Sequence, residues 1–226
     1  MILVVDINIL VIVAHPDDEA LGCSGTIAKH VANGDMVHVL FMTDGVSSRE
    51  LKAKESSERL TAAQNAANIL QVVSFSNFNF PDNKMDSIPL LDVVKEIEAK
   101  ITQIQPEIIY THHIGDLNVD HQVTHKAVMT ACRPQPGFCV REIYAFEVLS
   151  STEWQTPGLV PFIPNVFVDI SESIEIKKKV LEIYSEEMRI MPHSRSIENA
   201  IQQASYRGNS VGLCYAEAFV ILRAIR

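Results

Sequence analysis

Apolar, β-branched runs alternate with stretches of helical period along this chain. Ile7 to Val13 is apolar except at Asn8, the composition of a strand covered on both faces. A polar loop and a helix around Thr26 to Ala32, ending at Asn33-Gly34, come next. Met36 to Met42 reads as a second strand, Leu51 to Leu70 as a long helix and Val72 to Phe75 as a third, short strand. Phe78 to Lys84, with Pro81-Asp82-Asn83, reads as a loop. Within Pro89 to Ile104, residues Leu90, Val93, Val94, Ile97, Ile101 and Ile104 form a helical stripe, and Glu107 to Thr111 returns as a strand. Further on, Val123 to Cys132 reads as a helix, Ile143 to Val148 and Val166 to Ile170 as strands, and Ser173 to Met188 as a serine-capped helix, with a surface loop over Pro157 to Pro164. This order predicts an α/β fold: a mostly parallel sheet with helices on both faces, a Rossmann-like three-layer sandwich. Ligands of such sheets collect at the carboxyl ends of the strands.

Composition narrows the class without changing the fold. The 226 residues, 47% apolar and 21% charged, suit a single domain spanning 1–226 and exclude a disordered or fibrous chain. A net charge of -9 argues against a general phosphate-attracting surface, so no nucleic-acid partner is expected. Residues 1–140 hold 10 basic and 17 acidic residues, which makes that half the place to look for a cation. The longest apolar run, Ile9 to Ala14, is far below the roughly 18 residues of a membrane-spanning helix. No basic residue precedes Lys29, so the apolar start lacks the n-region of a secretory signal and a cytoplasmic location is expected. Cys23, Cys132, Cys139 and Cys214 form no Cys-x-x-Cys unit and read as reduced thiols, leaving His and carboxylate as the available metal ligands.

Two polar loops carry the chemistry, and each follows a predicted strand. His15-Pro16-Asp17-Asp18-Glu19 crowds an imidazole and three carboxylates into five residues. Such acids raise one another's pKa unless a cation neutralises them; the alternative is a solvated loop with an Asp capping the next helix. Thr111 to His121 adds His112, His113, Asp116, Asp120 and His121. Two His ligands and one carboxylate leave an open coordination position, as in catalytic zinc sites. Read without a metal, Asp120 caps the following helix and His112 and His113 are loop residues bonded to backbone.

Ala14-His15-Pro16-Asp17-Asp18-Glu19 resembles the signature of the LmbE-like, PIG-L-type family of zinc-dependent N-acetylglucosaminyl deacetylases. The likeness continues through Gly22-Cys23-Ser24-Gly25-Thr26-Ile27, Thr43-Asp44-Gly45 and Asn118-Val119-Asp120-His121. In the tail it includes Pro192-His193-Ser194-Arg195-Ser196, Arg207-Gly208, Val211-Gly212 and Ala216-Glu217-Ala218-Phe219. The resemblance implies that His15, Asp18 and His121 hold Zn2+, that Asp17 is the general base for the attacking water, and that Glu19 is structural. It further implies a substrate that is a free or conjugated N-acetylated amino sugar, and assembly into homo-oligomers.

Asn118 stands where many members carry a His assigned to oxyanion stabilisation or proton donation. An amide cannot act as an acid near neutral pH, so His193, His112 and His113 become the candidate donors, with His193 favoured because it lies in the tail motif. Asp17, once protonated, is the remaining one. His125, four residues after His121, reads as a helix-face residue. Arg59, in a helix resembling one whose arginine lies near the substrate, is a candidate substrate contact, as is Asn118; the other reading of Arg59 is a solvated helix-face side chain. Two rivals remain: a silent sugar-binding member of the same fold, and a mononuclear Fe(II) oxygenase, whose facial triad has the same ligands but lies in an all-β barrel.

Overall fold

The computed structural model describes residues 7–45 and 53–226, so the start of the expected helix at Leu51 lies outside the described residues. Seven described strands form one sheet: β1 (Asn8–Val13), β2 (Met36–Thr43), β3 (Ser74–Phe80), β4 (Ile108–His112), β5 (Glu142–Phe146), β6 (Val166–Asp169) and β7 (Ala216–Ala224). Their order is β3-β2-β1-β4-β5-β7-β6. The first five are parallel, and β7 runs antiparallel between β5 and β6. The helices are α1 (Asp18–Ala32), α2 (Ala53–Leu70), α3 (Leu90–Ile104), α4 (Val119–Ala131), α5 (Ile174–Ile183) and α6 (Ile197–Asn209). This is the expected α/β class. An all-β barrel, which the iron-oxygenase reading needs, is not what the chain forms.

Strand β1 explains the layering. Ile9, Val11 and Val13 join the apolar cluster shared with α1, α2, α5 and α6, whereas Leu10 and Ile12 join the one shared with α3 and α4. Period-two alternation buries both faces, so the run lacks the polar positions of a half-exposed strand. No helix among the described residues is long and apolar enough to cross a membrane.

Several boundaries differ from expectation. Helix α1 begins at Asp18, eight residues before Thr26, and is kinked at Cys23 (φ -152°, ψ 16°). The low helix propensity of Gly22 and Gly25 conceals that first turn in the sequence. Gly22 is there for close approach, since a Cβ would overlap the Phe146 ring of β5. The kink frees backbone groups, and a buried ion pair takes them up. Glu217 accepts from the Gly25 and Thr26 N–H groups at 3.0 and 2.7 Å. Lys177 donates to the Ala20 and Leu21 carbonyls and to Glu217, at 3.0, 2.8 and 2.7 Å.

Strand β3 runs through Phe80, so the loop expected from Phe78 starts later; its Ser and Asn residues mask a pairing that the β2 register supplies. Helix α5 stops at Ile183, short of Met188. The residues from 197 to 224, not assigned above, form α6 and the central antiparallel strand β7.

Candidate active site

The sheet order reverses between β1 and β4, and ligands of open α/β sheets bind at such a switch point. The two polar loops leave the carboxyl ends of these two strands. After β1, the Asp18 N–H donates to the His15 carbonyl at 3.2 Å and the His15 N–H donates to Asp18 Oδ2 at 2.8 Å. Asp17 takes φ +123°, a conformation L-residues rarely adopt, costing about 1–3 kcal/mol. It sits at the N-cap of α1 with no side-chain cap bond. Its carboxylate turns instead to two guanidinium groups, which meet the same oxygen: Arg195 at 2.8 Å and Arg59 at 3.2 Å from Oδ2. Burial pushes the Asp17 pKa up, and the two arginines oppose that rise.

His15, Asp18 and His121 converge. Their facing atoms, His15 Nδ1, Asp18 Oδ2 and His121 Nε2, are separated by 3.2, 3.3 and 3.3 Å. Zinc with ligand distances of about 2.0–2.1 Å has tetrahedral edges of about 3.3–3.4 Å, so the triangle has the size of one face of that tetrahedron. The outer nitrogens decide what this triangle contains. His15 Nε2 lies 3.1 Å from Asp120 and 3.2 Å from Asp82, and His121 Nδ1 lies 3.0 Å from Asp116. Carboxylates there favour a proton on the outer nitrogen of each neutral ring, which turns both inner lone pairs toward Asp18. Three acceptors then face one another with no proton between them, and the buried Asp18 Oδ1 has no hydrogen-bond partner. A divalent cation fits that donor set.

In the metal-free protein protons take its place. Burial would lower both histidines, but Asp120, Asp18 and Asp82 raise His15 well above 6.5. Asp18 and Asp116 likewise raise His121 to about 9. Asp18 is held well below the usual carboxylate range because His121 and His112 outweigh its burial. His112 stacks on His121, with ring centroids 3.9 Å apart, and its Nε2 accepts from the Ala14 N–H at 2.9 Å. Burial, then neighbouring His121, lowers its pKa well below 6.5.

The remaining expected residues fall as follows. Arg59 is buried, not solvated, and its guanidinium also meets the Pro16 carbonyl at 2.7 Å and Glu187. Asn118 is the N-cap of α4, accepting from the Asp120 N–H at 2.8 Å. That corrects the assignment of the cap to Asp120. One residue inside the helix, Asp120 accepts from the Asn83 and Met85 N–H groups at 2.6 and 3.0 Å, fastening the loop after β3 to the site. His113 Nε2 lies 3.1 Å from the Val160 carbonyl, and His125 Nδ1 2.8 Å from that of His112. No hydrogen bond or ion pair joins His193 to His15, Asp17, Asp18 or His121 among the described residues. Its Nδ1 accepts from the Arg195 N–H at 3.0 Å, two residues from the guanidinium on Asp17.

Sequence reasoning left Asp82, Asp116 and Arg195 without roles. Asp116 lies well below the usual carboxylate range, burial being outweighed by His121 and by the Ser151 and Thr152 hydroxyls. A cluster of two aspartates beside a candidate ligand was the available signal for Asp116. Arg195 lay in the tail motif but had no partner assigned, and Asp82 carried no signal, since each comes from a segment more than 60 residues from the His15 to Glu19 loop that it completes.

Residues 10–132 match the family described as PIG-L, GlcNAc-PI de-N-acetylase, and the chain belongs to that family. YaiS of Escherichia coli (strain K12), named an uncharacterized deacetylase, is 31% identical over 170 residues, 73% of this chain and 83% of YaiS. Diacetylchitobiose deacetylase of Thermococcus kodakarensis is 29% identical over 238 aligned positions, 93% of this chain and 81% of that protein. Among solved structures, GalB of Pseudomonas putida KT2440, a 4-carboxy-2-hydroxymuconate hydratase, superposes with a TM-score of 0.74 at 22% identity over 97% of each chain. At that identity the likeness speaks for the fold alone, and the reaction has to be argued from the site.

Proposed function

We propose that this chain is a zinc-dependent hydrolase that removes the N-acetyl group from an N-acetylated amino sugar, free or conjugated. The observation that carries the reading is the triangle of three possible ligand atoms on His15, Asp18 and His121, with the Asp17 carboxylate beside it. The relative that acts on diacetylchitobiose supports the substrate class. Two His and one Asp leave a position open, and zinc bound there supplies a Lewis acid for the acyl oxygen and lowers the pKa of the attacking water.

The chain's own residues supply the rest. Both guanidinium groups hold Asp17 Oδ2, which leaves Oδ1 to take the proton of the water. The leaving nitrogen then needs a proton. His112 uses Nε2 as an acceptor and is neutral by burial, and His113 Nε2 is engaged by the Val160 carbonyl. His193 remains: Nε2 is free of the backbone bond at Nδ1, and the imidazolium form, which gives up that bond, would donate the proton from Nε2. Capping of α4 gives Asn118 a structural task, so its presence where relatives carry His does not of itself favour a silent member.

The test scores free amine released from a panel of N-acetylated sugars, alongside bound metal. Asp17→Asn and His193→Ala should each lower the rate by roughly two to four powers of ten with zinc content unchanged. Near-normal turnover of Asp17→Asn would overturn the mechanism, and wild-type His193→Ala activity would pass the donor's role to Asp17.

A further inference from the structure

We propose that Trp154 is a sugar-stacking platform at the mouth of this site, taking the apolar face of a pyranose ring of the substrate. The inference rests on the hydrolase reading above and deepens it. Trp154 ends a short 3-10 turn, Thr152–Trp154, and the residue is 51% exposed. Two separate chains of contacts tie the indole to the centre. On one side, the Thr152 hydroxyl donates to Asp116 at 2.7 Å, the Ser151 hydroxyl donates to the same carboxylate, and Asp116 faces His121. On the other, the indole meets the His193 ring edge-to-face with centroids 5.6 Å apart; His193 accepts from the Arg195 N–H, and the Arg195 guanidinium holds Asp17. The indole therefore stands between the segment that orients a candidate ligand and the one that holds the candidate base.

Its exposure has no structural use in the turn. Ser151, Thr152 and the Gln155 side chain, which donates to the Asp116 carbonyl at 2.8 Å, already fasten this segment. The indole N–H makes no hydrogen bond with any described residue, and about half of the residue's surface is open to solvent. A pyranose offers the complementary surface: a face of C–H groups beside an edge of hydroxyl and acetamido oxygens. An aromatic face with one polar handle suits such a ligand. Leu117, 51% exposed and next to Asp116, is tied to the same segment by its N–H, which donates to the Ser151 carbonyl at 3.4 Å.

Trp154 is the sole tryptophan of the chain, so its emission reports the contact directly. Metal-loaded and metal-free wild-type protein would be titrated with N,N'-diacetylchitobiose, in parallel with N-acetylglucosamine, while amine release is measured on the loaded enzyme. A saturable change in emission is expected. Trp154→Ala should raise KM roughly three- to tenfold with kcat nearly unchanged, and Trp154→Phe should restore most of the loss. Amine release that saturates while emission stays constant, or an unchanged KM in Trp154→Ala, overturns the platform and leaves the hydrolase reading intact. A saturable emission change without amine release supports the platform and overturns the hydrolase reading. Neither signal overturns both.

Discussion

Two buried charged clusters lie along α1, and they differ in how their valences are satisfied. Under the kink, all three Lys177 protons and both Glu217 oxygens have partners, four of them backbone groups that the kink released. At the N-terminus of the same helix, His15 Nδ1, Asp18 Oδ2 and His121 Nε2 converge to 3.2–3.3 Å of one another and Asp18 Oδ1 has no partner. The first cluster completes the fold; the second leaves a carboxylate oxygen unpaired and has the donor set of a divalent cation site. Burial of charge is common to both, so burial does not mark the functional one. The unpartnered Asp18 oxygen beside converging ligand atoms does.

The contrast is broken most severely by removing Glu217. Glu217→Leu strands the Lys177 ammonium and two N–H groups in the core and should lower stability by about 3–5 kcal/mol. Urea unfolding measures this, and a loss below about 1 kcal/mol would mean that the splice does little. Asp116→Asn acts on the other cluster. It weakens the hold on His121 Nδ1 and should lower zinc affinity by about 10- to 100-fold with the fold kept, read by competition with a chromophoric chelator. Unchanged affinity would remove Asp116 from that role.

The smallest effect concerns Glu19, which accepts from the Tyr184 hydroxyl at 2.6 Å and the Asp17 N–H at 3.0 Å. Burial pushes its pKa from 4.5 up to about 7 against those bonds. A carboxyl raised in the folded state contributes most below its unfolded pKa, and that contribution is lost as pH rises through the folded value. Metal-stripped wild type should therefore lose stability between about pH 4.5 and 7 relative to Glu19→Gln, whose side chain does not ionise. Parallel stability curves for the two proteins would show that Glu19 does not titrate in this window.

Much of this was legible locally. Strand β1 announced itself by an apolar run, and the His15 to Glu19 and Thr111 to His121 loops by a density of imidazole and carboxylate that a solvated loop has no need of. The misreadings share one physical origin. Asp120 looked like a cap because caps are short polar residues before a helix, yet Asn118 took that bond and freed Asp120 for the loop after β3. Arg59 looked solvated on a polar helix, yet Pro16, Asp17 and Glu187 bury it. Strand β7 lacked a signal that distinguishes a sheet centre from an edge, since its place between β5 and β6 is a long-range pairing.

By itself the sequence determined the α/β alternation, the two ligand loops and their places after β1 and β4, because periodicity and residue chemistry are properties of neighbours along the chain. Tertiary structure alone decided which nitrogen of each histidine turns inward, which carboxylate fixes it, and that both arginines meet a single oxygen of Asp17. Apart from Asp116, five residues before His121, the partners that fix these groups lie 42 to 178 residues away in the chain. Their approach is set by the register and order of the strands, and the energy of each contact depends on burial that no local pattern records.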